Sequence, residues 1–141
     1  MNRAQALRAK GKTALALADY DRVIALDLRR EAAFRQRAVI RQAGGDHVAA
    51  VADYGRALEL DPKDAAAWRG RGISELKQGR DEAAIADLTQ AIALEPGDAL
   101  AFHQRSIAYA SKRDMRRANA DYDAAVRLDP RIGKARLAQR P

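Results

Sequence analysis

Residues recur in this chain at a spacing of 34, and few folds accommodate that period. Pro62, Pro96 and Pro130 share one column, and Phe34, Trp68 and Phe102 share another. Gly11, Gly45 and Gly79 form a third. Tyr20, Tyr54, Leu88 and Tyr122 line up, as do Ala16, Ala50, Ala84 and Ala118. Ala57, Ala91 and Ala125 follow, with Val23 in the first copy. All the columns agree on one register. The 141 residues therefore read as a single domain of four copies, 1–30, 31–64, 65–98 and 99–132, with a tail at 133–141. The first copy is incomplete at its opening, and the tail is expected to be helical or frayed.

Each copy reads as two helices. Ala65 to Gln78 runs without a strong breaker until Gly79, and a glycine just past a helix end is free to take the left-handed conformation that stops it. A second helical stretch follows from about Asp81 to Leu94. Pro96 ends it, since proline cannot continue a helix and pushes the residue before it into extended geometry. Asp64 and Asp98 stand just ahead of first helices, where a carboxylate can accept from exposed backbone N–H groups. The pattern predicts an all-α fold of repeated antiparallel helix pairs. Composition agrees: 48% of residues are hydrophobic, but many are alanines and only 5% are aromatic. Small side chains suit helices packed close together better than a β-sandwich.

These columns resemble the tetratricopeptide repeat (TPR) family, whose 34-residue helix–turn–helix unit has an early aromatic, small residues at close helix contacts and a late proline. Copy 65–98 carries the resemblance in Trp68, Gly72, Gly79, Ala84, Ala91 and Pro96. The first copy departs from it, with Leu28 in the proline column. Arg113 replaces the turn glycine in the last copy, and Arg41 and Glu75 stand where Tyr109 keeps the family's tyrosine. The resemblance implies a right-handed superhelical solenoid whose first helices line a concave groove.

An arginine and an aspartate recur in every copy. Arg3, Arg37, Arg71 and Arg105 precede Asp19, Asp53, Asp87 and Asp121 by 16 residues, with the turn column midway. In an antiparallel hairpin, residues equidistant from the turn come level, each about 12 Å from it along its own helix. An ion pair inside each hairpin is expected: Arg37–Asp53, Arg71–Asp87 and Arg105–Asp121. The alternative is a row of arginines gripping an acidic ligand.

One stripe of the first helices is left over from packing. It lies one, five, eight and nine residues after the aromatic, on one side of a helix. It holds Arg35, Val39 and Gln42 in the second copy and Arg69, Ile73, Leu76 and Lys77 in the third. The fourth contributes His103 and Ile107. An apolar line of Val39, Ile73 and Ile107 beside Arg35, Arg69 and His103 suits a protein or peptide with apolar anchors and some acidic residues. The same apolar residues could instead pack adjacent first helices together.

Some TPR members hold a C-terminal carboxylate with Lys, Asn and Arg on consecutive first helices. The matching positions here read Met1, Gln5, Gln36, Ala66 and Gly70, or Arg35, Val39, Gly70, Leu100 and Gln104, so no such clamp is expected.

Other functions find little in the sequence. There is no cysteine, which excludes disulfides, thiolate zinc sites and cysteine nucleophiles. His47 and His103 lie in different copies with no shared ligand pattern, so no metal and no cofactor is expected. Ser74 and Ser106 occupy columns held elsewhere by small or apolar residues, and no phosphate-binding glycine loop follows a strand. The chain is not expected to be an enzyme. All seven aromatics fall on packing columns, leaving none to stack on bases. The net charge of +7 gathers in the first and last copies and the tail, while the middle copies are slightly acidic. A nucleic-acid partner is therefore not expected. No apolar run is long enough for a membrane span, no secretory signal opens the chain, and the expected location is the cytoplasm. The expected function is a non-catalytic protein-interaction scaffold. The alternative is an oligomerisation module, self-associating through exposed solenoid ends, or a segment of a larger multidomain protein.

Overall fold

Three of the proline-column signals and two of the glycine-column signals become helix ends in the structure, a computed structural model that describes residues 3–138. Met1 and the last three residues of the tail lie outside the described residues. Helices α1 (Arg3–Leu26), α2 (Glu31–Ala43), α3 (His47–Leu60) and α4 (Ala65–Lys77) are followed by α5 (Asp81–Leu94) and α6 (Ala99–Ser111). Helices α7 (Met115–Leu128) and α8 (Arg131–Ala138) complete the described chain. No strand occurs among the described residues, and the fold is all-α. No helix among them is long and apolar enough to cross a membrane.

The turn between the two helices of a pair is built the same way three times. At α4–α5, Gly79 sits at φ +75° and donates to the Leu76 carbonyl, while Arg80 N–H reaches back to Glu75 O at 3.0 Å. These are the paired bonds of a Schellman end, which satisfy carbonyls the helix leaves open. Gly45 at φ +85° and the bond from Asp46 to Arg41 O repeat it at α2–α3. At α6–α7 the left-handed residue is Arg113, at φ 62°, with Asp114 donating to Tyr109 O at 2.9 Å. The missing glycine changes the strain at this turn and not its shape.

Starts are fixed by aspartates. Asp46, Asp64, Asp98 and Asp114 each accept from the backbone N–H three residues on, at 3.1–3.3 Å. Before Pro62 and Pro130, Asp61 and Asp129 are extended, at φ −141° and −140°, as the proline ring requires.

The first copy folds differently from its expected hairpin. Helix α1 continues through Gly11 without a turn. A glycine inside a helix costs only about 1 kcal/mol, and Lys12, Thr13 and Ala14 offer no second breaker. Breaking the helix would give up several backbone hydrogen bonds for the packing of a short first helix that has no aromatic residue.

The chain falls into two compact units, one up to Pro62 and one from Lys63. In the first, Ile24, Ala33, Phe34 and Ala57 form a buried cluster with Tyr20, Val23 and Leu60 around it. In the second, Ala84, Leu88, Ala91 and Ala101 form a cluster flanked by Trp68, Leu76 and Ile92. The alanine columns at 50, 84 and 118 and at 57, 91 and 125 are buried throughout. Alanine brings helix backbones close enough for dense dispersion contact, and this is how a chain poor in large side chains builds a core. Gly72 marks a close approach of α4 to α5: a Cβ there would meet Leu88 Cγ at 2.8 Å and the Ala84 carbonyl at 3.3 Å.

Candidate functional site

The repeated arginines and aspartates lie on facing helices of three pairs. Arg37 Nε and Nη2 donate to the two carboxylate oxygens of Asp53 at 2.8 and 2.7 Å. Arg71 does the same to Asp87 at 2.7 and 2.9 Å, and Arg105 to Asp121 at 2.7 and 2.8 Å. All three aspartates are buried and all three arginines half-buried. The bonds to the aspartates raise the arginine pKa values above the ordinary value against the opposing effect of burial. Each guanidinium also lies over the aromatic three residues before it, at 5.7 Å for Phe34, 5.1 Å for Trp68 and 5.6 Å for Phe102.

The fourth pair does not form. Arg3 and Asp19 lie on one continuous helix, about 24 Å apart along its axis. Arg37 instead takes a second partner from α1, Asp21, at 2.8 Å. Arg105 likewise reaches back to Thr89 on α5, at 3.1 Å. Asp21 and Thr89 stand 16 residues before their arginines. The offset of 16 thus works in both directions, a signal present in the sequence that the forward pairing alone does not use. Arg41, which replaces a tyrosine of the family pattern, donates to Asp53 at 2.9 Å.

The first-helix stripe divides between packing and surface. In the first unit, Val39 of α2 is 45% exposed and Arg35 lies 4.0 Å from Glu31, while Gln42 turns inward to accept from Tyr54 Oη at 3.0 Å. In the second unit, α4 pairs with α5, α6 pairs with α7, and α5 packs on α6. Leu76 packs against the core cluster and Ile73 is half-buried, whereas Ile107 is 42% exposed and Lys77 is exposed. Arg69 is held: its Nη1 donates to Asp98 Oδ2 at 2.8 Å, while Asp98 Oδ1 caps α6. His103 stands edge-on to Tyr122, centroids 6.1 Å apart, and burial pulls its pKa below the usual imidazole value. On α4 and α6, Ile73, Lys77, His103 and Ile107 are the stripe residues that lie outside both the core cluster and the Arg69–Asp98 pair. Gln42, Leu76 and Arg69 serve the fold first.

None of the seven aromatic residues is exposed. Among the described residues no three His, Asp or Glu side chains gather in a group that could hold a metal.

Residues 35–99 match the tetratricopeptide repeat family. A comparison with curated proteins finds no match. Among solved structures, MamA superimposes with a TM-score of 0.83 at 23% identity, covering 92% of this chain and 76% of that one. The Arabidopsis OM64 TPR domain gives 0.73 at 23% identity, covering 77% of this chain and 90% of that one. The second TPR of Spaghetti (RPAP3), solved bound to the HSP90 peptide SRMEEVD, gives 0.69 at 24% identity, covering 74% and 98%.

Proposed function

We propose that this chain, which matches the tetratricopeptide repeat family over residues 35–99, is a protein-interaction scaffold whose α4–α6 face receives a peptide or partner segment. The observation that carries this reading is the exposed apolar side of α6, where Ile107 is left 42% exposed and Leu100 43% exposed while Ala101 and Ala108 are buried. With Ile73 it offers an apolar strip, and Lys77 and His103 border that strip with a cation and a titratable ring. An extended or helical segment with apolar anchors and a few acidic residues complements it. The solved complex of a TPR domain with an acidic peptide supports the same class of partner. Val39 and Arg35 repeat the pattern on α2 in the first unit.

The test is capture of partners by the full chain against an Ile107→Glu/Lys77→Glu variant, with circular dichroism showing that both are folded. Arg69 is left intact because it anchors the start of α6. Loss of a partner from the variant is expected. A partner retained equally by both proteins would sink the reading.

A further inference from the structure

Asp19 occupies the column of three buried aspartates, yet it is exposed. Asp53, Asp87 and Asp121 are each covered by a bidentate guanidinium from the preceding helix. Helix α1 runs through Gly11 without turning, so Arg3 is carried away from Asp19. The rest of the stripe around Asp19 is uncovered too. Leu15 is 69% exposed, Leu26 is 88% exposed, and Arg22 is exposed. Leu15, Asp19, Arg22 and Leu26 follow at spacings of four, three and four, which places them on one side of the helix. The side with Tyr20 and Ile24 is already spent on the cluster around Phe34.

The chain itself shows what fits such a stripe. In α2–α3, Phe34 and Leu60 share one cluster, and Leu60 is the counterpart of Leu26. Three residues on, Arg37 clamps Asp53, the counterpart of Asp19. Ala38 follows, fully buried where a larger side chain would hold the helices apart. Trp68, Arg71 and Gly72 repeat this order, as do Phe102, Arg105 and Ser106. The fitting element is a helix with an aromatic, two intervening residues, an arginine and a small residue.

We infer that the Leu15–Asp19–Leu26 stripe of α1 is a docking surface for a helix of another protein bearing aromatic-x-x-Arg-small. Its aromatic covers Leu26 and its guanidinium chelates Asp19. Asp19 offers that guanidinium its carboxylate, and the exposed leucines supply the apolar area. The chain's own helices of this type, α2, α4 and α6, already have their arginines paired, so a second copy is not the occupant.

A labelled peptide of residues 64–78 serves as the probe, titrated into the full chain by fluorescence anisotropy. Saturable binding is expected. Asp19→Asn in the chain, or Arg71→Met in the peptide, should weaken it about tenfold or more, the scale of one charge-assisted hydrogen-bonded pair. Ile107→Glu should leave it unchanged, which separates this surface from the α4–α6 face. Asp19 is exposed, so Asp19→Asn should fold as the parent does. Absence of binding, or binding insensitive to Asp19→Asn, overturns the inference. A loss that follows Asp87→Asn and not Asp19→Asn does the same, because the peptide would then be replacing α4. If Arg3→Met lowers Tm as much as Asp19→Asn does, residues 3–10 fold back to cover Asp19, and the inference also fails.

Discussion

The ion pairs Arg37–Asp53 and Arg71–Asp87 have the same residues, spacing and geometry, but different neighbours. In the first unit, Asp53 accepts from two arginines, Arg37 and Arg41, and Arg37 also donates to Asp21. Two cations meet two anions. In the second unit, the position of Arg41 is taken by Glu75, and its charge favours the positive state of Arg71. Glu75 is buried, and its nearest cation is Arg80 at 3.5 Å. One network is centred on a shared carboxylate, and the other places a second carboxylate near the arginine. What a repeated pair is worth therefore depends on the column beside it, since a buried charge is costly mainly when its partner is removed.

The largest effect should come from Asp53→Asn, which strips the charge partner from one arginine and half the partners from another. We expect a loss of about 3–5 kcal/mol in urea unfolding, the range for breaking a buried pair. Asp87→Asn should cost less, because Glu75 still offers Arg71 a negative charge. The double variant Asp87→Asn/Glu75→Gln should then cost more than the two single changes added together. Equal losses for Asp53→Asn and Asp87→Asn, with additivity in the double variant, would break the comparison.

The next effect concerns packing. Gly72→Ala pushes a methyl group into Leu88 and the Ala84 carbonyl, and should cost about 1–3 kcal/mol in the same assay. The matching column in the first unit already holds Ala38, which is fully buried. A Gly72→Ala variant as stable as the parent would mean that α4 and α5 separate readily.

The smallest effect is a gain. Arg113→Gly should raise stability by about 1 kcal/mol, read as an upward shift in Tm, because glycine takes the left-handed conformation without steric cost. An unchanged or lowered Tm would show that the Arg113 side chain repays its strain through contacts of its own.

Much of this architecture was legible from periodicity. The proline and glycine columns mark helix ends because each acts locally, through a fixed φ or a permitted positive one. The aspartate caps at Asp64 and Asp98 are local in the same way. The partner-facing stripe was legible only as a set of positions. Helical spacing says that Leu76 and Ile107 share a side with their neighbours, but not which of them the core takes. Leu76 packs against the core cluster of the second unit, whereas Ile107 remains at the surface. Arg69 read as a free cation, yet it is tied to Asp98, 29 residues on, and only the approach of α6 to α4 brings them together.

The sequence by itself determined the repeat length, the all-α class, most helix ends and the residues able to pair across a hairpin, since these follow from local backbone chemistry and a period. Tertiary structure decided that α1 does not turn at Gly11, that Asp53 serves two arginines, and that Asp19 is left at the surface. Those outcomes are balances between the packing a helix gains and the hydrogen bonds or desolvation it gives up. Such balances depend on which neighbours are present in space, and a repeated column does not record them.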